Sequence, residues 1–269
     1  MQEDLYPIFH LEPDAKEAIE QLGSKPKFWF RFHDSPEDWW LFKFARENTG
    51  EDWAEKIAAE VAVLLGVDAA RMELADFVGR QGIASLSFVD TKQGIDLFHG
   101  SEVLAGRVIG YERKKIRRHT DHSVKNIIRA IEETFADLES RKTELEKIAG
   151  LVVLDAVIGN VDRHHDNWGL LRRTSTEGGI DYRLSPSFDH ASSLGRELGD
   201  DRRIAILQQK GVADYLHRGH GGVYWDEQEK RAPGPLDLAV EAAKRYPHYF
   251  APWIQRVREF DLSNFGRIL

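Results

Sequence analysis

The chain has 269 residues, of which 42% are hydrophobic and 30% charged, a composition typical of a globular protein with one large domain or two lobes. Its formal net charge of −8 argues against a general attraction to DNA or anionic membranes, and the lack of cysteine excludes disulfides, thiolate zinc sites and cysteine nucleophiles. The acidic start is unlike a secretion signal and the apolar runs are shorter than the roughly 20 residues of a membrane span, so we expect a cytoplasmic protein without a membrane partner.

The first 46 residues predict a short helix and a hairpin. Residues 14–22 have the composition of a helix that ends at Gly23, and the aromatic run at 28–32 predicts a strand. The segment DSPED at 34–38 predicts a turn, which makes 27–46 an antiparallel hairpin with Lys43 near the end of its second strand.

A helix and two more strands are predicted next. Residues 51–65 form a helical pattern ended by Gly66, with an apolar stripe of Trp53, Ile57, Val61, Leu64 and Leu65. Strands are expected at 72–79 and 82–89 around a turn at 80–82, giving a small antiparallel sheet with one helix packed on it. The looser stretch 90–102 is interpreted as a connection between two lobes.

The second half of the chain has a helical character. Apolar spacing predicts one helix from Val124 to Leu138 and a more buried one from Leu145 to Val157, which stops at Gly159. A short strand is expected at 168–173, and the last 60 or so residues predict a helical cluster with Pro235, Pro247 and Pro252 near helix starts. The fold class is therefore α+β.

Six polar side chains, from Asp162 to Asn167, lie between the buried helix and an apolar strand, a common position for functional loops. Asp189 stands 22 residues after Asn167, again after a short strand and a turn. If the two loops face one another, their carboxylate and amide oxygens suit Mg²⁺, which also binds phosphate oxygens. Asp162 is left to receive a proton, and Asp155 in the preceding helix is expected to anchor the loop by hydrogen bonding.

These loops carry a resemblance to a known family. GNVDRHHDNWG and LSPSFDHASSLG resemble the catalytic and metal loops of HipA-like serine/threonine kinases, and less closely those of phosphoinositide kinases. The resemblance implies a two-lobed protein-kinase-like fold that uses ATP and Mg²⁺. In it Asp162 is the catalytic base, and Asn167 and Asp189 are the metal ligands.

A kinase also needs a lysine on a strand to neutralise the phosphates and a glutamate on a helix to hold that lysine. Lys43 has the expected position on its strand. Glu60 lies on the apolar stripe of the helix, whereas Glu55 projects elsewhere. Because a charge that faces the core needs a partner, we expect Glu60 to pair with Lys43.

The segment GSKPKFWF resembles the phosphate-covering loop of HipA-like proteins. By that resemblance the backbone around Gly23, Ser24 and Lys25, helped by Lys25 or Lys27, covers the triphosphate. HipA-like kinases phosphorylate a serine of their own in this region, which makes Ser24 the candidate here.

The resemblance also implies the organisation and the partners of the protein. It predicts an N-lobe over residues 1–98, a C-lobe over 99–269 and ATP between them. By the resemblance the protein transfers phosphate to a protein Ser or Thr and acts as a toxin or a regulator of translation. An aminoacyl-tRNA synthetase is then a possible substrate and an antitoxin a possible partner. Full-length HipA kinases carry an extra N-terminal subdomain, so the sequence resembles the shorter members of the group.

Three alternatives stay open at this point. Phosphoinositide kinases share the Asp-Arg-His loop, so a lipid or small-molecule kinase is possible, whereas a catalytically dead nucleotide-binding module is disfavoured by the complete residue set. A dinuclear metal-dependent phosphoesterase draws on His165, Asp166, His190 and the pair His217 and His220, but lacks the upstream Asp-x-His and Gly-Asp-x-x-Asp segments.

One basic cluster, YERKKIRRH at 111–119, stands out from the acidic chain. It is either a solvated face or a docking surface for an acidic partner or an RNA-bearing substrate.

Overall fold

The computed structural model describes residues 6–20, 26–115, 118–209, 211–261 and 263. Its first part is a six-stranded sheet in the order β1-β5-β6-β4-β3-β2, in which β1 runs parallel to β5 and all other pairs are antiparallel. The strands are β1 (Phe9–Leu11), β2 (Ala18–Ile19), β3 (Lys27–Phe32), β4 (Ser35–Phe44), β5 (Met72–Phe77) and β6 (Arg80–Leu86).

Alternation along the strands gives this sheet two different faces. One face buries an aromatic cluster that includes Phe28, Phe30, Trp40 and Phe42. On the other face the apolar side chains of Met72 and Ile83 pack against helix α1 (Glu51–Leu65). Lys43 is paired with Ile83 in register, so it lies on the α1 side of the sheet.

The second part combines a three-stranded antiparallel sheet with helices. The sheet consists of β7 (Ile95–His99), β8 (Gly169–Thr174) and β9 (Ile180–Leu184) in the order β7-β8-β9. The helices are α2 (Gly100–Ala105), α3 (Val124–Thr134), α4 (Leu138–Ile158), α5 (Asp200–Gln208), α6 (Val212–Arg218), α7 (Pro235–Arg245) and α8 (Pro247–Glu259). Helix α4 is the centre of the main core and contacts α1, α3, α7 and α8. The α+β fold class is confirmed.

The predicted helix over 14–22 is wrong for the described residues. Residues 13–15 form one 3-10 turn, and Ala18–Ile19 is the edge strand β2. The segment is held to β3 by side chains, with Glu17 bonded to Arg31 at 2.7 Å and Glu20 accepting from Trp29 Nε1 at 2.9 Å. Ile19 is 67% exposed, so a helix here has no apolar face to bury.

Two turns and one connection also differ from the predictions. The first hairpin turns at His33–Asp34, with β4 starting already at Ser35. The next turns at Val78–Gly79, where both residues have a positive φ as a two-residue type I′ turn requires. The stretch 90–102 is not loose, because it supplies β7 and the start of α2.

Some helix boundaries also differ from the predicted ones. Leu138 opens α4 and does not close α3, because Asp137 caps α4 by accepting from the backbone N–H of Ser140 at 2.8 Å. The end of α4 agrees with the prediction, since Gly159 takes the left-handed backbone that terminates a helix. Pro235 and Pro247 begin α7 and α8, whereas Pro252 lies inside α8. None of the described helices is long and apolar enough to cross a bilayer.

Candidate active site

Lys43 and Asp189 meet in the folded chain although they are 146 residues apart in the sequence. Lys43 Nζ lies 3.5 Å from Asp189 Oδ1, and both side chains are partly buried. Burial works against the charged ammonium, but the carboxylates of Asp189 and Glu55 more than offset it and raise the pKa of Lys43. The lysine is therefore a fixed positive charge beside a carboxylate that follows β9.

Asp189 has an unusual backbone, with a φ of +59°. The preceding Phe188 packs against Phe88, with ring centroids 5.4 Å apart, and so ties the loop to the chain just after β6. A small cavity lies between this loop, β4 and α1. Its lining is formed by Lys43, Phe44, Ala45, Glu51, Asp52, Glu55, Ile83, Asp189 and Ala191.

Of the two α1 glutamates that line this cavity, Glu51 and Glu55, it is Glu55 whose charge acts on Lys43. The side chain of Glu55 is buried at 2% exposure, and Oε1 accepts from the backbone N–H of His190 at 2.9 Å. Glu60, the predicted partner of Lys43, is 33% exposed and instead bonds Lys56 at 2.8 Å. The expected Lys43–Glu60 pair is thus not formed, and the carboxylate of α1 that acts on the charge of Lys43 is that of Glu55.

The error came from the face assigned to α1. The buried side of the helix carries small residues (Ala54, Ala58, Ala59 and Ala62, with Val61 and Leu65), whereas Leu64 is 43% exposed. These alanines let the helix approach the sheet closely, and Glu51 and Glu55 lie on the same buried side. An alanine stripe with glutamates one turn apart is the signal that identifies Glu55.

Asp162 and Asn167 lie in the loop after α4. Asp162 is an exposed residue. Its backbone N–H donates to Asn160 Oδ1 at 3.1 Å, and its backbone oxygen accepts from the N–H of His164 at 2.8 Å. The buried Asn167 donates from Nδ2 to Asp162 O at 2.8 Å. That bond commits the amide nitrogen, so the atom that Asn167 offers to a cation is its side-chain oxygen.

Arg163 links this loop to the loop of Asp189. Its guanidinium donates to both carboxylate oxygens of Asp155, at 2.9 and 2.8 Å, and to the backbone oxygens of Asn167 and Phe188, the latter at 3.0 Å. Burial opposes the charge, but Asp155 outweighs it and the pKa of Arg163 is raised. The predicted anchoring role of Asp155 is confirmed, and Arg163 is a residue that the sequence interpretation missed.

Further bonds hold the two loops side by side. Val161 N–H donates to Ser192 O at 3.2 Å, and Leu194 N–H donates to Ile158 O at 2.8 Å. Arg196, seven residues after Asp189, reaches Glu51 at the start of α1 with a 3.2 Å contact. The loops of Asp162 and Asp189 therefore face one another, as predicted.

Of the residues expected to cover the phosphates, Lys27 is described and Gly23, Ser24 and Lys25 lie outside the described residues. Lys27 is the cross-strand neighbour of Lys43 in the β3–β4 pair, so the two lysines share one face of the sheet. This arrangement puts a second positive charge on the side of the sheet that faces the cavity.

The donor set fits Mg²⁺ bound together with a phosphate. Asp189 and Asn167 offer oxygen atoms, and Mg²⁺ commonly takes only one or two carboxylates from a protein and completes its shell with water and phosphate oxygens. By contrast, the described part of the chain contains no group of three or more metal-ligating His, Asp or Glu side chains.

The histidines that suggested a dinuclear phosphoesterase are used elsewhere. His165 is buried and bonds Tyr111 Oη at 2.8 Å. His190 is buried beside Ser187 and Glu55, and His217 lies 3.4 Å from Asp237. The described residues thus give that alternative no metal centre.

Comparison with known protein families agrees with the resemblance that the sequences of the two loops carry. The model of the HipA-like C-terminal domain family matches residues 20–243. No curated protein matches the sequence.

Among solved structures, a proinflammatory kinase of Helicobacter pylori, CtkA, superposes with a TM-score of 0.75 at 17% identity, covering 97% of this chain and 86% of that one. The HipA chain in a complex of HipA, HipB and operator DNA from Shewanella oneidensis MR-1 is similar over 94% of this chain and 62% of that one, with 13% identity and a TM-score of 0.48. The similarity to CtkA shows a shared fold.

Proposed function

The chain belongs to the family of HipA-like C-terminal domains, and from that premise we propose that it is an ATP- and Mg²⁺-dependent protein serine/threonine kinase. The observation that carries the proposal is the 3.5 Å approach of Lys43 to Asp189, beside a loop that presents Asp162 and Asn167. A lysine, two metal-ligand oxygens and a further carboxylate are the groups that phosphoryl transfer requires.

In this proposal each group has one task. Lys43 neutralises the phosphates, which the backbone N–H groups of Gly23, Ser24 and Lys25 cover with the help of Lys25 or Lys27. Glu55 takes over the positioning role that was predicted for Glu60. Asn167 and Asp189 hold Mg²⁺, which when bound shields the charge of the phosphate oxygens. Asp162 accepts the hydrogen bond of the acceptor hydroxyl and orients it towards the γ-phosphoryl group.

The proposed lobes are residues 1–98 and 99–269, with the nucleotide between them. Lys43, Lys27 and Glu55 belong to the first lobe, and the two loops to the second. The proposed boundary falls within β7, which is paired with β8.

Transfer of label from [γ-³²P]ATP tests the function. The purified protein, alone and then with a cell extract, is expected to place label on protein Ser or Thr, and Asp162→Asn should abolish transfer while ATP binding persists. Label in the organic phase would favour a lipid kinase, and free phosphate alone a hydrolase.

Mass spectrometry of the same protein after incubation with ATP tests autophosphorylation at Ser24. An unmodified Ser24 in active enzyme would contradict autophosphorylation at that residue.

Family membership also supports a role as a toxin or a regulator of translation, with an antitoxin as partner and an aminoacyl-tRNA synthetase as a possible substrate. Expression in a bacterial host tests this role. Growth arrest that Asp162→Asn relieves is the expected result, and equal arrest by both proteins contradicts a role for kinase activity in it.

A further inference from the structure

The described part of the basic segment, residues 111–115 and 118–119, is bonded to the proposed catalytic loop. The carbonyl oxygen of Glu112 accepts from Lys115 N–H at 3.0 Å and from His119 Nε2 at 3.0 Å. The rings of Tyr111 and His119 are buried and stacked, with centroids 4.4 Å apart. Tyr111 Oη in turn bonds His165 Nδ1 at 2.8 Å, three residues after Asp162.

The charges of this segment point outward. We call its described exposed cations, Arg113, Lys114, Lys115 and Arg118, the basic loop. Arg113 is bonded to Glu102 at 2.9 Å, whereas Lys114, Lys115 and Arg118 make no ion pair with any residue that the structure describes. In a chain with a net charge of −8, a group of exposed cations that the described residues leave largely unpaired is a distinct local feature.

We propose that the basic loop docks an acidic protein segment that flanks the acceptor hydroxyl, which deepens and rests on the proposed kinase function. Its anchor, His165, belongs to the same loop as Asp162, so a bound chain that reaches Asp162 passes near these cations. Carboxylates on that chain then meet exposed positive charges, and this charge complementarity favours docking.

A protein segment fits this surface better than RNA does. The aromatic rings of the loop, Tyr111 and His119, are buried, so they offer no stacking surface to a base. Asp121 and Asp166 stand at the edge of the cluster, with side chains 35% and 38% exposed, so the positive surface is short and bounded by carboxylates. A short acidic peptide needs only the few charges that are present.

Binding without ATP tests the docking separately from the chemistry. The probes are two fluorescein-labelled peptides with alanine in place of the acceptor serine, one flanked by glutamates and one by glutamines, titrated with the full chain at low ionic strength. The wild type should bind the glutamate peptide more tightly. Lys114→Gln/Lys115→Gln should weaken that binding about three- to tenfold, as expected for two exposed charge contacts.

The matched control is Lys125→Gln/Lys230→Gln, which removes two exposed lysines elsewhere and should leave the preference intact. Equal binding of both peptides by the wild type, or unchanged binding by the Lys114/Lys115 variant, overturns the proposal. So does a single-stranded RNA that binds more tightly than the glutamate peptide and loses its affinity in the same variant.

The serine versions of the peptides separate the two proposals. With ATP, the basic-loop variant should raise KM for the glutamate peptide and leave kcat unchanged. A protein that binds the alanine peptide as described yet transfers no phosphate to any acceptor refutes the kinase function and leaves the docking surface in place.

Discussion

Lys43 is the residue at which the two parts of the chain come together. Its charge is stabilised by Asp189 and Glu55 against the cost of burial, so the raised pKa keeps it protonated throughout the physiological pH range. Asp189 is its direct partner, while Glu55 holds the backbone of His190. Glu55 therefore acts on the lysine through its charge and on the loop of Asp189 through a hydrogen bond.

A matched pair of substitutions on α1 tests this assignment. Glu55→Gln should lower the rate of phosphoryl transfer on the order of 10- to 100-fold, because it misplaces Lys43 and the loop of Asp189. Glu60→Gln should have little effect on the rate, because Glu60 pairs with Lys56 and not with Lys43, and Lys56 keeps its second partner Glu73. Steady-state kinetics of both variants decide the matter, and a larger loss in Glu60→Gln would return the role to Glu60.

Arg163 positions both proposed metal-binding loops through one guanidinium. Arg163→Lys keeps the charge but loses the planar fork that reaches Asp155, Asn167 O and Phe188 O together. We expect a higher Mg²⁺ concentration for half-maximal transfer and a loss of about 3 kcal/mol in the free energy of unfolding.

The control for Arg163 is Arg172→Lys, at a half-exposed pair with Asp96. Denaturant unfolding and Mg²⁺ titration of activity are measured on both variants. A Mg²⁺ dependence that Arg163→Lys leaves unchanged contradicts the positioning role, even if stability falls.

His122 makes stability depend on pH. Burial lowers its pKa to about 3, and it stays neutral as an acceptor from Trp168 Nε1 at 3.1 Å and a partner of Gly222 O at 2.9 Å. Above pH 6.5 it is neutral in both the folded and the unfolded state. Below pH 6.5 only the unfolded chain takes up the proton, so acidification destabilises the fold.

At pH 5.5 this linkage should cost about 1 kcal/mol relative to pH 7.5. Denaturant unfolding at the two pH values measures it, and His122→Gln should reduce the difference by that amount. A pH dependence that is the same in the variant and the wild type would assign the effect to other groups.

At the scale of elements, strong local signals were predictive and weak ones were not. The hydrophobic run of α4 and its terminal Gly159 located the loop of Asp162, and the aromatic alternation around Phe42 located Lys43 on its strand. The strand and turn predicted before Asp189 located that residue in a loop. The convergence of these residues from distant parts of the chain required the resemblance to a family, because spacing alone carries no tertiary contact.

The wrong predictions have physical causes. The helix predicted over 14–22 was overridden by pairing with β3 and by the bonds of Glu17 and Glu20. The turn at Val78–Gly79 was missed because it lacks the usual Asn-Gly signal and because valine rarely adopts a positive φ. Glu55 was missed because alanines, which carry little weight in a hydrophobic pattern, form the buried face of α1.

The β4–β6 pair leaves no room for a side chain at Gly82. A Cβ there would stand 2.4 Å from the backbone oxygen of Lys43, so Gly82→Ala must push the two strands apart. We expect a loss of about 1–3 kcal/mol in the free energy of unfolding, together with a reduced rate of transfer through the displaced Lys43.

Gly199→Ala is the control, because a Cβ at Gly199 meets no atom within 4 Å. Denaturant unfolding compares the two variants. Equal stability of Gly82→Ala and the wild type would mean that the strands can separate at no cost.

At the scale of the molecule, the proposed site depends on parts of the chain that come together only in the folded state. β4 and α1 supply Lys43 and Glu55, the loop after α4 supplies Asp162 and Asn167, and the loop after β9 supplies Asp189. Arg163 joins the two loops, and Arg196 joins the segment after Asp189 to α1. A change in any one of these links should therefore alter nucleotide and metal binding together.

Calorimetric titration of ATP, with and without Mg²⁺, tests this central claim most directly. The account predicts that Mg²⁺ strengthens ATP binding by the wild type and by Asp162→Asn, and that Asp189→Asn loses this gain because the metal has lost its carboxylate. Wild-type, Mg²⁺-dependent affinity in Asp189→Asn would contradict the account, since Asp189 would then lie outside the site that binds the metal and the nucleotide.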